Sequence, residues 1–168
     1  MHATPDDLFR RLGELGIPVE THHHAPVFTV DEARALRGQL DGGHCKSLFL
    51  KDKKGALFLV VCLEDAGVDL KALRRKIGAA QLSFGKPELL MEILGVIPGS
   101  VTPFALMNDR ERRVTVVLQS EMLALEQLNY HPLENDKTTQ IASRDLLRFV
   151  KACGHDPVIV SIEPDVGD

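Results

Sequence analysis

Apolar residues recur along this chain at two periods, and the switches between them mark the elements. Leu8, Leu12 and Leu15 fall on one helical stripe. Ahead of them Thr4-Pro5-Asp6-Asp7 reads as a helix start, with Thr4 as N-cap, proline at the first helical position and two carboxylates on the positive end of the dipole; Gly16 ends the helix. Residues 19–24, after Pro18, read as extended, which puts His22 and His24 on one face and His23 on the other. Thr29-Val-Asp-Glu32 is a capping box opening a short helix through Leu36 that stops near Gly38. Strands are predicted over 45–51 and 56–63, joined as a hairpin by the polar turn Asp52-Lys-Lys-Gly55. Asp69 caps a helix through Lys76, with Leu70, Leu73 and Ile77 inward and Gly78 as terminator.

Residues 81–84 read as a short extended piece, and Pro87 begins a helix that runs to Leu94. A second hairpin is predicted from 104–107 and 113–119 around Asn108-Asp-Arg-Glu111, the latter strand being rich in β-branched residues. Ser120 caps a short helix to Leu128, and a strand lies near Gln140-Ile141. Ser143 caps an amphipathic helix carrying Leu146, Leu147 and Val150, Gly154 ends it, and 158–162 form a last strand. Strands that pair as hairpins with helices intervening irregularly predict an α+β (mixed α/β) fold. Its sheet is expected to be mixed and largely antiparallel rather than doubly wound and parallel.

Composition narrows the class. With 168 residues, 44% of them hydrophobic, and no internal repeat, the chain is expected to form one domain over 1–168. A net charge of -4 and a pI near 6.0 argue against a protein that coats nucleic acid without specificity. Local basic clusters remain: Lys71, Arg74, Arg75 and Lys76 in one, Lys51, Lys53 and Lys54 in another, each readable as a solvated face or a binding patch. Cys45, Cys62 and Cys153 have neither metal-knuckle spacing nor an even count for disulfides, and are expected to be reduced. Without a basic-then-apolar leader or an apolar run of roughly 20 residues, the protein is expected to be cytoplasmic and off the membrane. No G-x-G-x-x-G or P-loop follows a strand, so no cofactor is expected.

The stretch Gly95-Val-Ile-Pro-Gly-Ser-Val-Thr-Pro-Phe104 is the most unusual chemically. Gly95 fits a helix C′ position, and Pro98-Gly99 fits the centre of a turn, so Ser100 and Thr102 are expected to offer hydroxyls beside exposed N–H groups. Such a loop can hold a carbonyl or an anion, or simply connect a helix to a strand. Lys46 lies on an otherwise aliphatic strand face with Leu48 and Leu50, so either it sits at the strand end in solvent or its charge meets an anion in a pocket. The three histidines at 22–24 have no carboxylate or cysteine at ligand spacing, and no metal is expected. His44 and Cys45 face apart in a strand and make no dyad. His131, held extended by Pro132, is followed by Asn135 and Thr138 in one short loop; these could orient a ligand hydroxyl or a water, or bond their own backbone.

Three pieces taken together, Thr29-Val-Asp-Glu-Ala33 before Cys45-Lys46-Ser-Leu-Phe-Leu50, then Gly95-Val-Ile-Pro-Gly-Ser-Val-Thr-Pro103, then His131-Pro-Leu-Glu-Asn-Asp-Lys-Thr138, resemble the YbaK/ProX family of aminoacyl-tRNA deacylases. The resemblance runs from about Leu8 to Val160. The form Gly-Ser-Val-Thr-Pro-Phe is more similar to the free-standing ProX or PrdX branch, which clears alanine from proline tRNA, than to the YbaK branch, which clears cysteine.

The resemblance implies a curved mixed sheet with surrounding helices. It also implies a trans-editing hydrolase acting on the ester between a mischarged amino acid and the terminal adenosine of tRNA. Its partner would be the acceptor end of mischarged proline tRNA, with prolyl-tRNA synthetase or an elongation factor as further partners. By the same resemblance Lys46 would pair with a backbone phosphate, and Gly99 and Ser100 in the Gly95 to Thr102 backbone would hold the aminoacyl group or the developing oxyanion. His131 would orient the reactants, and Val27, Phe28, Thr29, Ile97, Pro98, Val101, Thr102, Asn135 and Thr138 would bind the substrate, Val27, Phe28 and Ile97 as its apolar wall. No general base stands out, and the family-level expectation is that a ribose hydroxyl helps position the attacking water. Asp136-Lys137 departs from the family's acid-free pattern. A cysteinyl-tRNA(Pro) deacylase of the YbaK branch, a noncatalytic nucleic-acid or protein-binding module and an amino-acid sensor remain as alternatives.

Overall fold

The computed structural model describes residues 2–24 and 42–163. The predicted helix opened by Thr29 therefore lies outside the described residues, as do Val27 and Phe28. In chain order the elements are α1 (Pro5–Glu14), β1 (Val19–His23), β2 (Gly43–Asp52), β3 (Leu57–Leu63), α2 (Leu70–Ile77), β4 (Leu82–Phe84) and α3 (Pro87–Leu94). A 3-10 helix (Pro103–Asn108) follows, then β5 (Val114–Gln119), α4 (Ser120–Leu123), β6 (Gln127–Tyr130), β7 (Lys137–Ala142), α5 (Ser143–Ala152) and β8 (Val158–Val160).

The strands form one eight-stranded mixed sheet in the order β1-β7-β6-β2-β3-β5-β8, with β4 added against β2. Four of the seven pairings are antiparallel (β1/β7, β7/β6, β2/β3, β2/β4) and three are parallel (β6/β2, β3/β5, β5/β8). The α+β expectation with a mixed sheet holds. β4 and β6 share one edge of β2 at opposite ends, β6 against Gly43 and His44 and β4 against Leu50 to Asp52.

The local signals that set the elements are visible in the hydrogen bonds. Thr4 and Asp7 form a reciprocal capping box at α1, and Asp69 accepts from the Lys71 N–H at α2. In the β2–β3 turn, Asp52 Oδ1 accepts from the Lys54 and Ala56 N–H groups, both at 2.9 Å, and Oδ2 from Ala80 N–H at 3.1 Å. Burial of this carboxyl works against its charge, yet the three backbone donors outweigh it and hold its pKa below the usual value.

Alternation along the strands sorts side chains between two cores. On one face α1, α3, the 3-10 helix and α5 bury Leu8, Leu94, Phe104 and Phe149 against Phe49, Leu59, Val116 and Ile141. Phe104 stands edge-on to Tyr130 and Phe149, with ring centroids 5.9 and 5.4 Å apart. On the other face α2 lays Leu73 over Leu50, Phe58, Val60, Cys62 and Val117.

Three expectations are corrected. Residues 104–107 are helical: Thr102 Oγ1 accepts from the Phe104 N–H at 3.3 Å, Pro103 supplies a helical φ, and Phe104, Ala105 and Leu106 are buried in succession rather than alternately. β5 accordingly pairs in parallel with β3 instead of closing a hairpin. The helix at Ser120 stops at Leu123, and 127–130 form β6, a central strand that bonds to both β7 and β2. Ser120 and Ser143 are first helical residues, while Gln119 and Ala142 occupy the cap positions without a side-chain bond.

Candidate active site

Register and alternation bring the polar residues of four strands onto one face. His22 pairs with Thr138, Glu20 and Asn129 both pair with Gln140, and Asn129 pairs with His44. Residues paired across strands share a face, and residues two apart in one strand share it too. Lys46, two beyond His44, and His131, two beyond Asn129, therefore stand on the face that carries His22 and Thr138. The opposite face of the same strands carries Leu128, Tyr130 and Ile141 into the larger core.

Lys46 opens onto this face from β2. It is half-buried, and its Nζ donates to the Ala66 carbonyl oxygen at 2.8 Å. A carbonyl orients the ammonium without cancelling its charge, and two of its three N–H donors remain for other acceptors. Among the described residues Lys46 has no carboxylate within ion-pair distance. The ammonium is half-buried and oriented by a carbonyl, and its charge acts on the Cys62 thiol paired across from it.

His131 is tied down by the turn that follows it. Its Nδ1 lies 3.0 Å from the Lys137 carbonyl oxygen. A carbonyl only accepts, so Nδ1 carries the proton and Nε2 of the neutral ring keeps its lone pair. Burial pushes the imidazole below its ordinary pKa; the Lys137 carbonyl opposes this and the neighbouring His24 adds to it. At neutral pH the ring is uncharged. Leu133, in the connecting turn, holds φ +75° while its side chain is buried in the larger core, which fixes the loop at the expense of backbone strain.

The same turn contains the acidic departure from the family pattern. Lys137 Nζ bonds Asp136 Oδ1 at 2.8 Å and Glu134 Oε2 at 3.2 Å, and these bonds, that to Asp136 foremost, raise the lysine's pKa. The acids are thus compensated inside the loop. Asn135 and Thr138 are both buried, at 7% and 5% exposure, so neither acts as a solvated turn residue.

His24 is the residue that sequence reasoning missed. Its backbone N–H donates to the Asp136 carbonyl at 2.9 Å, its Nε2 lies 2.8 Å from Thr138 Oγ1, and its ring centroid is 6.3 Å from that of His131. The predicted strand already put His22 and His24 on one face; what was lacking was the β1–β7 pairing that brings that face to Thr138. The three histidines separate, His22 Nε2 lying 3.5 Å from Glu20 Oε1 and His23 facing the other way.

The Gly95 loop has the expected backbone. Gly95 ends α3 at φ +67°, and a Cβ there would come within 2.6 Å of the His2 ring and 2.8 Å of Asn108 Nδ2. Pro98 and Gly99 (φ +93°) form the turn closed by Ser100 N–H to the Ile97 carbonyl at 3.0 Å. The hydroxyls are corrected: Ser100 is buried, and Thr102 is fully buried with its Oγ1 capping the 3-10 helix. What the loop exposes is Ile97, Pro98 and Gly99, with Val101 half-buried. It packs through Val96 and Val101 on the larger core, and no hydrogen bond joins it to Lys46 or His131 among the described residues. Thr29, Val27 and Phe28 lie outside the described residues.

The surroundings of Cys45 and Cys62 work against a thiol nucleophile. Burial pushes Cys45 to about 12 and Cys62 to about 11, leaving almost no thiolate at neutral pH. The face therefore offers one oriented ammonium, one neutral imidazole whose Nε2 is an acceptor, and hydroxyl and amide groups, an arrangement able to bind an anion and align a hydroxyl or water.

Comparison with known proteins agrees with that chemistry. The family model described as aminoacyl-tRNA editing domain matches residues 24–149, a span that holds every candidate residue named above. The chain belongs to the YbaK/ProX family of aminoacyl-tRNA editing domains. A prolyl-tRNA synthetase associated domain-containing protein 1 from Danio rerio is 41% identical over 96% of this chain and 91% of its own length. Prolyl-tRNA editing protein ProX from Acetoanaerobium sticklandii is 35% identical over 86% of this chain and 89% of its own. Among solved structures, one described as a candidate trans-editing enzyme for prolyl tRNA synthetase superposes with a TM-score of 0.70 at 18% identity, covering 97% of this chain and 99% of that one. At that identity it speaks for the shared editing-domain fold. No helix among the described residues is long and apolar enough to cross a membrane.

Proposed function

We propose that this editing domain is a cytoplasmic hydrolase that deacylates mischarged proline tRNA, with the alanyl ester as its substrate. The observation that carries the reading is the pairing, on one sheet face, of an ammonium held by the Ala66 carbonyl with a neutral His131 whose Nε2 keeps its lone pair. The first suits a tRNA phosphate near the acceptor end; the second suits a hydroxyl or water that must be aligned but not ionised.

In this reading Lys46 binds backbone phosphate and fixes the terminal adenosine. The Gly99 backbone N–H, in the turn that the Ser100 N–H closes, receives the carbonyl oxygen as it becomes an oxyanion. The oxygen of a water attacks the ester carbon and the bond to the ribose oxygen breaks. One proton of the water passes to the ribose oxygen, the other is released to solvent, and the amino acid leaves as its carboxylate. His131, with Asn135, Thr138 and His24 behind it, orients the ribose hydroxyl and the water. Val27, Phe28 and Ile97 form the wall that admits a methyl group and rejects a pyrrolidine ring, with Thr29, Pro98 and Val101 shaping the remainder and Thr102 acting only behind them, as the cap of the 3-10 helix. The names of the relatives favour proline tRNA and prolyl-tRNA synthetase as partners.

The test is product identity. Purified protein incubated with alanyl-tRNA(Pro) is expected to release free alanine and leave tRNA that can be charged again. Tight binding of the charged tRNA with the ester intact would replace this reading by a noncatalytic tRNA-binding module.

A further inference from the structure

Charge on this protein is unevenly placed. The chain carries a net charge of -4, yet α2 holds Lys71, Arg74, Arg75 and Lys76 and no acidic residue. Lys76 donates to the Ser161 carbonyl at 2.6 Å, whereas Lys71, Arg74 and Arg75 are exposed and take part in none of the ion pairs among the described residues. With Gln81 and Leu82 these three line a groove of about 400 Å³ between α2 and β4. Beyond β4 a second groove of about 650 Å³ is lined by Lys51, Lys53 and Lys86 together with Asp52, Glu88 and Glu92. The α2 groove is thus purely cationic, whereas the groove beyond β4 balances three lysines with three acids.

The α2 groove lies on the same side of the sheet as the candidate active site. Lys46 and Leu50 share a face of β2, and Phe84 of β4 pairs with Leu50, four residues or about 13 Å from Lys46 along the strand. α2 covers this face through Leu73, and the Ala66 carbonyl that holds Lys46 lies in the segment leading to α2. An acceptor end engaged at Lys46 would continue its backbone within reach of Lys71, Arg74 and Arg75.

Resting on the editing function proposed above, we infer that this α2–β4 surface binds the sugar-phosphate backbone of the tRNA acceptor stem, independently of the amino acid at its end. Such binding is driven by release of condensed counterions, so each phosphate left without its cation lowers the dependence of log affinity on log salt by about 0.9.

The experiment measures fluorescence anisotropy of labelled, uncharged proline tRNA across a salt series with wild type and with the Lys71→Gln/Arg74→Gln/Arg75→Gln variant. Arg144→Gln/Lys151→Gln serves as a control, since both residues are exposed on α5 over the opposite face. Hydrolysis of alanyl-tRNA(Pro) is compared with that of an alanyl ester on the trinucleotide CCA, which has no stem. The triple variant is expected to melt near the wild-type temperature, bind tRNA at least about tenfold more weakly, and show a salt slope reduced by about 2 to 3. It should raise KM for alanyl-tRNA while hydrolysing the trinucleotide ester as wild type does, and the control should bind like wild type. Wild-type affinity and slope in the folded triple variant would overturn the inference, as would an equal loss in the control. Failure of wild type to hydrolyse either ester would sink the editing function, and anisotropy would still decide the surface.

Discussion

Replacing Lys46 by methionine separates its charge from its bulk. The apolar stem is kept, so packing opposite Cys62 changes little, and the loss is the ammonium with its 2.8 Å bond to the Ala66 carbonyl. For a half-buried charged donor on a neutral acceptor, that bond is worth about 1 kcal/mol net. In a protein of this length such a loss lowers Tm by about 2–4 °C. Against a stability of roughly 5–15 kcal/mol, the variant stays almost wholly folded at 25 °C. Taking the ammonium away from a bound phosphate costs the substrate complex more, about 1.5–3 kcal/mol, and at about 1.4 kcal/mol per factor of ten gives a fall in kcat/KM of roughly 10- to 150-fold. Because the phosphate is bound in ground and transition states alike, most of the fall should appear in KM. Steady-state deacylation of alanyl-tRNA(Pro) at several concentrations, alongside a thermal melt, reads both numbers. Full activity in the folded variant, or an activity loss no larger than the unfolded fraction, would refute the anion-binding role of Lys46.

Three further outcomes follow from the same geometry. Treatment with EDTA should leave the deacylation rate unchanged, and loss of activity with rescue by zinc would reverse that expectation. His155, buried 3.4 Å from Asp109, has its pKa lowered chiefly by burial. The fold thus prefers the neutral ring: this stability is full above about pH 6.5 and is lost as pH falls toward the folded value, so His155→Gln should flatten the acid limb of a urea-midpoint profile, and an unchanged limb would assign it elsewhere. Gly95→Ala should destabilise by about 1–2 kcal/mol or more, because the residue sits at φ +67° and its Cβ would meet Asn108 Nδ2, which bonds the Leu94 carbonyl; a melt equal to wild type would show that the α3 terminus relaxes freely.

The parts of this fold legible in the sequence are those whose cause is local. Thr4 with Asp7, Asp69, Gly95 and the Asp52 to Gly55 turn each act within a few residues, and the β2–β3 hairpin follows from that turn. Residues 104–107 resemble a strand in sequence because four apolar-rich residues before a polar turn fit either period, and the deciding interaction is the Thr102 cap. β6 is hidden because a four-residue strand has little pattern of its own; it is held by β7 and β2 on either side. The site divides in the same way. Lys46 and the His131 loop stand out by chemistry and resemblance, while His24 can be found only through a partner 114 residues away in sequence. The burial of Ser100 and Thr102 likewise depends on how the Gly95 loop packs against the core, which spacing does not encode.

The central claim is that this protein hydrolyses a small mischarged ester on proline tRNA and spares the correct one. A pocket sized for a methyl group excludes a pyrrolidine ring by overlap, whereas attraction alone separates neighbouring small side chains by only about 1–3 kcal/mol. The direct measurement is the single-turnover rate of hydrolysis of alanyl-, cysteinyl- and prolyl-tRNA, all carrying the proline anticodon, by the purified protein. Rapid loss of alanine and a prolyl ester as stable as in buffer are the expected results. Preference for the cysteinyl ester would contradict the alanyl assignment and move the protein to the YbaK branch, and three esters equally stable would contradict catalysis itself.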